Sequence, residues 1–175
     1  MAKQTLQAGA LELERWIRRI SHGDRDALAD LYHATSSGVY AYALSILRNQ
    51  YDAEDVLHDC YVRIWSAAGS YRSVGKPLAW IMTVTRNLCL QQLQQQKRTV
   101  PLAELPFTAA GNSDPEASAI LRCCTELLSD EERQIVVLHA VAGCKHREIA
   151  EMFGLKTSTV LSKYHRAIRK LRDNL

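Results

Sequence analysis

Apolar residues recur along this chain at intervals of three, four, seven or eight, the spacing of helices that bury one face. Leu13, Trp16, Ile17 and Ile20 form one stripe and predict a first helix over Leu11 to Ile20, ended near Gly23. Asp24 then opens a longer helix carrying Leu28, Leu31, Tyr32, Val39, Ala43 and Leu47. A third runs from Asp52 to Trp65, with Val56, Leu57, Cys60, Tyr61, Ile64 and Trp65 as its inward side. Ser66 to Pro77 reads as a loop, and Pro77 suits the first turn of a fourth helix that reaches about Gln96 with Trp80, Ile81, Val84 and Leu88 inward.

The pattern then breaks. Between Thr99 and Glu116 stand Pro101, Pro106 and Pro115, with Glu104, Asp114 and Glu116 and no cation, the composition of a linker. Helical spacing resumes at Ile120, Leu121, Cys124, Leu127 and Leu128. Ser129 and Glu132 form a capping box that opens a helix through Ala142, closed by Gly143. A short helix through Met152 follows, then a tight turn at Gly154. A last helix runs from about Ser158 with Thr157 as its N-cap and Val160, Tyr164, Ala167, Ile168 and Leu171 inward. The predicted fold is all-α: two small helical domains, residues 1–98 and 118–175, joined by a flexible acidic linker over 99–117.

The polar faces of these helices carry the candidate chemistry. On the last helix Ser158, Thr159, Ser162, Lys163, Arg166 and Lys170 face outward, short hydrogen-bonding residues first and cations further along. From Lys156 onward there are six Lys or Arg against the single Asp173. With the preceding short helix and Gly154 turn, this is the layout of a helix-turn-helix whose second helix enters the major groove. On the third helix Asp52, Asp55 and Asp59 line up opposite the apolar side, with Glu54 beside them. Acids in a first turn favour the helix dipole, but Asp59 lies two turns in; the stripe is either a solvated face or a dock for a basic partner. Tyr71, Arg72 and Lys76 in the loop, with Trp65 and Trp80 at its borders, interleave aromatics and cations in the manner of single-strand stacking sites. On the fourth helix Arg86, Asn87, Gln91 and Gln94 point outward, and such amides read adenine edges while Arg reads guanine or phosphate.

Composition narrows this only slightly. A net charge of +3 over 175 residues means that any nucleic-acid role rests on local patches. No apolar run approaches the ~20 residues of a membrane span, and Met1 to Gln7 lacks a signal-peptide core. The expected location is the cytoplasm, without direct membrane insertion. The five cysteines Cys60, Cys89, Cys123, Cys124 and Cys144 are scattered and form no Cys-x-x-Cys pair, so packing is expected of them and no metal or cofactor. There is no Gly-rich phosphate loop and no Ser/His/Asp pattern, and the histidines are dispersed; an enzyme is not expected.

Taken together, the Asp52-Ala53-Glu54-Asp55 helix, the Trp/Tyr loop, the helix from Pro77 to Asn87, the acidic tether and the C-terminal helix-turn-helix resemble one family. It is the extracytoplasmic-function (ECF) subfamily of sigma-70-type sigma factors, the smallest initiation subunits of bacterial RNA polymerase. The likeness runs from about Asp24 to Leu171. It implies that Asp52, Glu54, Asp55 and Asp59 dock on core RNA polymerase, at the clamp helices of the largest subunit. It further implies that the loop with Tyr71, Arg72 and Lys76, together with Trp80, Arg86, Asn87 and Gln91, captures and reads the minus-10 element of promoter DNA. Ser158, Thr159, Ser162, Lys163 and Arg166 would read the minus-35 element. The linker would thread toward the active cleft formed by the largest and second-largest subunits, and a cognate, membrane-anchored anti-sigma factor would hold the protein inactive. Three positions depart from the family pattern: Gln91 where an acid is frequent, Gln94 in place of Arg, and Ser158 in place of Gly. Lys145 and His146 also begin the first helix of the helix-turn-helix without a Ser or Thr cap.

Two other readings of the residues stand beside this one. A stand-alone helix-turn-helix regulator would dimerise through its N-terminal domain on palindromic sites. A thiol or metal sensor would use Cys123, Cys124 and Cys144, with His139 and His146 near the last of them.

Overall fold

The computed structural model describes residues 8–99 and 126–174, and every regular element among them is helical. The linker and the residues that resume helical spacing before Glu126, including Cys123 and Cys124, lie outside the described residues.

Helix α1, Ala10–Ser21, buries Leu13, Ile17 and Ile20 and stops before Gly23, whose φ of +83° reverses the chain. Asp24 caps α2, Arg25–Leu47: its Oδ1 accepts from the N–H groups of Asp26 and Ala27 at 3.0 and 3.1 Å, and its Oδ2 from Arg19 Nε at 2.8 Å. Asn49 caps α3, Gln50–Ala67, in the same way. A single 3₁₀ turn, Ala68–Ser70, leads to the loop over residues 71–76 and then to α4, Pro77–Thr99. These four helices pack around Ile17, Leu31, Val39, Cys60, Ile64, Ile81 and Met82. Two buried polar pairs are satisfied inside: the hydroxyls of Thr35 and Tyr61 at 2.7 Å, and the hydroxyl of Thr85, which also bonds the carbonyl of Ile81, with the Cys60 thiol at 3.4 Å.

The C-terminal unit starts with the expected capping box. Ser129 Oγ accepts from Glu132 N–H, and Glu132 Oε2 accepts from Ser129 N–H, opening α5 at Asp130–Val136. The helix then widens into a π segment, Val137–Val141, with Ala142 N–H bonded to Val137 O at 2.9 Å. The sequence predicts an ordinary helix to Ala142. Four consecutive buried residues, Ile135 to Leu138, explain why the pattern is blind to the difference. This helix lies between two packing surfaces: Val136 joins Leu128 and Ala167 on one side, and Ile135, Val137 and Leu138 join the main core on the other. Helix α6, His146–Phe153, ends at Gly154 in the left-handed region, and α7 spans Thr157–Asn174. Thr157 is thus the first helical residue instead of the cap, a shift of one position. The missing Ser or Thr cap of α6 is offset by Glu148, whose carboxylate accepts from the Lys145 N–H at 2.8 Å.

The two units share one core. Gly38 of α2 faces Ala142 so closely that a Cβ at Gly38 would stand 3.1 Å from the Ala142 Cα. Buried Arg133 sends Nε to the carbonyl of Ser45 at 2.9 Å, and Arg48, left-handed at φ 57°, pairs with Asp130.

Some residues expected to face inward do not. Tyr32, Trp65 and Ile168 are 40%, 37% and 36% exposed, and Trp80 is half-buried against Tyr71. Periodicity assigns each a direction, but how far it is covered depends on the neighbouring element.

Candidate nucleic-acid interface

The acidic helix does not present its carboxylates alike. Asp52 is half-buried and turned toward α4, where its two oxygens accept from Gln92 Nε2 at 2.8 Å and Gln96 Nε2 at 2.9 Å. Glu54 is exposed and accepts from Gln50 Nε2 at 3.2 Å. Asp55 and Asp59 are exposed. The outward acidic face is therefore Glu54, Asp55 and Asp59, with Asp52 fastening the base of α3 to the end of α4.

Arg72 is exposed on the loop, and the Tyr71 and Trp80 rings meet at 4.9 Å with a tilt of 51°. Burial and then the Glu14 carboxylate push the Tyr71 phenol up to about 12, so it stays a neutral donor. A cleft of about 270 Å³ opens between α3 and α4, lined by Arg63, Ala67, Trp80, Val84, Asn87 and Gln91. Trp80 offers a π face there and Asn87 and Gln91 offer amides, a chemistry suited to an unpaired base.

Arg86 and Lys76 face the other flank of α4, and the C-terminal unit meets them. The guanidinium carbon of Arg86 lies 5.5 Å from the centre of the Phe153 ring, and Lys76 Nζ bonds both Glu151 oxygens at 2.8 and 2.6 Å. This bond to Lys76 holds the Glu151 carboxyl below the usual carboxylate range. A groove of about 380 Å³ runs between α4 and α6 past Trp80, Arg86, Asn87 and Glu151. Arg86 is thus half-buried, where the sequence presents it outward.

On α7, Ser158, Ser162 and Arg166 are exposed and Thr159 is half-exposed. Lys163 is tied to Glu131 at 2.8 Å and Lys170 to Glu132 at 2.7 Å, so two cations of this face also brace α5. Beneath them His139 and His146 stack at 3.8 Å between ring centres, each edge-on to Tyr164, and His139 Nδ1 donates to the Cys144 carbonyl at 2.9 Å. Burial pushes the thiols up, Cys60 to about 11 and Cys89 and Cys144 to about 12, which leaves them protonated and unreactive.

Sequence reasoning missed Glu14, Glu151 and Phe153, the residues that hold the loop and cover α4. Their own helices give no cue, because each is an ordinary residue of an amphipathic segment whose partner lies more than fifty positions away.

Known proteins match this arrangement. Residues 31–99 fit the family model for sigma-70 region 2, and residues 118–171 the model for sigma-70 region 4. The chain belongs to the sigma-70 family, in its extracytoplasmic-function branch. The ECF RNA polymerase sigma factor SigK of Mycobacterium ulcerans is 27% identical, the match covering 94% of each chain. SigK of Mycobacterium bovis is 25% identical, again over 94% of both chains. Among solved structures, CnrH in complex with the cytosolic domain of CnrY superposes with a TM-score of 0.68 at 20% identity, covering 91% of this chain and 94% of that one. The sigma factor RpoE in complex with the anti-sigma factor NepR, from Bartonella quintana, gives 0.63 at 21% identity, covering 77% and 88%.

Proposed function

We propose that this chain is a dissociable promoter-specificity subunit of RNA polymerase, acting in the cytoplasm and released from a membrane-anchored anti-sigma factor. One observation carries the reading: three polar faces of different character stand on three separate helices. The exposed acids of α3 meet core polymerase; the cleft and loop beside α4 take bases of the opened minus-10 strand; the outer face of α7 reads minus-35 duplex. Tyr71, Arg72, Lys76, Trp80, Arg86, Asn87 and Gln91 serve the first DNA contact. Ser158, Thr159, Ser162, Lys163 and Arg166 serve the second.

In the closed arrangement α6 covers the Lys76 and Arg86 flank of α4. Reading both elements together requires the two units to part while the linker keeps them on one molecule. Polymerase supplies the spacing, so that two weak readers act as one by effective concentration. The relatives seen with CnrY and NepR favour control by an anti-sigma protein. Of the three thiols of the sensor reading, Cys144 is buried and protonated, which favours packing there, while Cys123 and Cys124 lie outside the described residues.

Run-off transcription with core polymerase on genomic fragments tests the proposal. Transcripts from a restricted set of promoters are expected, with a footprint only when polymerase is present. A strong footprint on palindromic sites without polymerase would replace it with the stand-alone regulator.

A further inference from the structure

The carboxylate of Glu14, on α1, gathers three donors from the loop over residues 71–76. Tyr71 Oη donates to Oε1 at 3.2 Å, Ser73 Oγ to Oε2 at 2.7 Å, and the Gly75 N–H to Oε1 at 2.9 Å. The three donors are alternate residues. The residues between them, Arg72 and Val74, are left exposed, Val74 at 66% although it is a large apolar side chain. Gly75 takes a φ of +74°, which lets its N–H turn back to α1 before Pro77 starts α4. Tyr71 is held at both ends, its hydroxyl on Glu14 and its ring on Trp80. A six-residue segment without regular structure otherwise samples many conformations, and ordering it on binding costs free energy.

We infer that Glu14 is a positioning residue for base capture: it fixes the loop so that Arg72, Val74 and the Tyr71–Trp80 pair already stand in the form that receives the unpaired minus-10 strand. Glu14 lies outside residues 31–99, the stretch that fits the region 2 model. The inference rests on the sigma-factor reading above and adds to it a residue that touches no DNA. A preformed loop matters where strand opening must be compensated by capture of the extruded base. It matters far less on a template that is already open.

The experiment is run-off transcription by core polymerase with full-length wild type, Glu14→Gln, Glu14→Ala and Ser73→Ala. Each is assayed on a duplex promoter and on the same promoter pre-opened across the minus-10 element. For Glu14→Ala a loss of ~10-fold in open-complex formation on duplex is expected, the size of about 1.4 kcal/mol of lost preorganisation. Glu14→Gln and Ser73→Ala should lose less, in that order. All three should recover on the pre-opened template, with thermal melting and core-polymerase affinity as in wild type. Equal transcription by wild type and Glu14→Ala on duplex overturns the inference, as does a loss of equal size on both templates. A wild-type chain that gives no transcript on either template removes the sigma-factor reading itself, and this inference with it.

Discussion

Lys76, the last residue of the loop before α4, and Glu151, in the middle of α6, are joined by two short hydrogen bonds across the boundary between the N-terminal and C-terminal units. Further along α4, and at the last residue of α6, Arg86 faces Phe153. Two cations proposed for minus-10 DNA are thus engaged by the helix-turn-helix unit, Lys76 by a carboxylate and Arg86 by an aromatic ring.

Glu151→Gln should therefore loosen the closed form and raise the affinity of the free protein for a single-stranded minus-10 oligonucleotide. The pair is partly exposed, so the gain is at most about fivefold. Fluorescence anisotropy measures it, and a distance reporter between α1 and α7 should lengthen in parallel. Unchanged affinity would mean that the ion pair does not compete with DNA.

Gly38→Ala tests the core side of the same boundary. The new Cβ meets Ala142 backbone at 3.1 Å, and neither the middle of α2 nor the π segment yields cheaply. A loss of about 1–3 kcal/mol in denaturant unfolding is expected, as for an overpacked core.

The acidic helix should divide by role. Asp55→Lys with Asp59→Lys leaves folding intact and weakens core-polymerase binding by ~10-fold or more. Asp52→Ala instead releases Gln92 and Gln96 and lowers stability by about 1–2 kcal/mol, with a smaller effect on polymerase affinity. Interferometry on core enzyme and thermal melting separate the two.

The stack beneath α7 predicts a pH response. Burial, then the neighbouring His139 and His165, lower the His146 pKa from 6.5. The unfolded chain therefore binds more protons than the folded one below that value, and stability falls as pH drops through 6.5. It is fully present above 6.5, and the loss levels off once pH passes below the folded pKa. Melting curves from pH 8 to pH 5 should show this decline, and His146→Gln should flatten it. An equal slope in both proteins would exclude His146 as its source.

On the outer face of α7, Arg166→Ala should weaken minus-35 duplex binding and reduce the slope of log affinity against log salt by about 1 if the contact is to phosphate. An unchanged slope with altered base preference would instead assign Arg166 to base reading.

Much of this molecule is legible before any coordinates. The stripe through Leu13, Ile17 and Ile20, the Asp24 cap, the Ser129–Glu132 box and the Gly154 turn are local, and local rules find them within one or two residues. The π widening at Val137 and the exposure of Trp65 and Ile168 are not local. Each depends on what another helix does, or fails to do, at that level of the core. The candidate site divides along the same line: the outward faces of α3 and α7 can be read from spacing, while Asp52 looks identical to Asp55 until Gln92 and Gln96 reach it from forty residues away.

What the amino-acid order alone decided is therefore the set of helices, the residues each turns outward, and the family to which such a set belongs. Spacing at 3.6 residues per turn is written in every segment and needs no partner to be read. What only the tertiary structure decided is which of those outward residues are already engaged. Glu14 takes the loop, Glu151 takes Lys76, Phe153 takes Arg86 and Glu131 takes Lys163. These contacts join positions 32 to 75 residues apart, or across the two units. They form because the fold places a carboxylate or a ring within a few ångströms of a donor or cation, a coincidence in space that no period along the chain encodes.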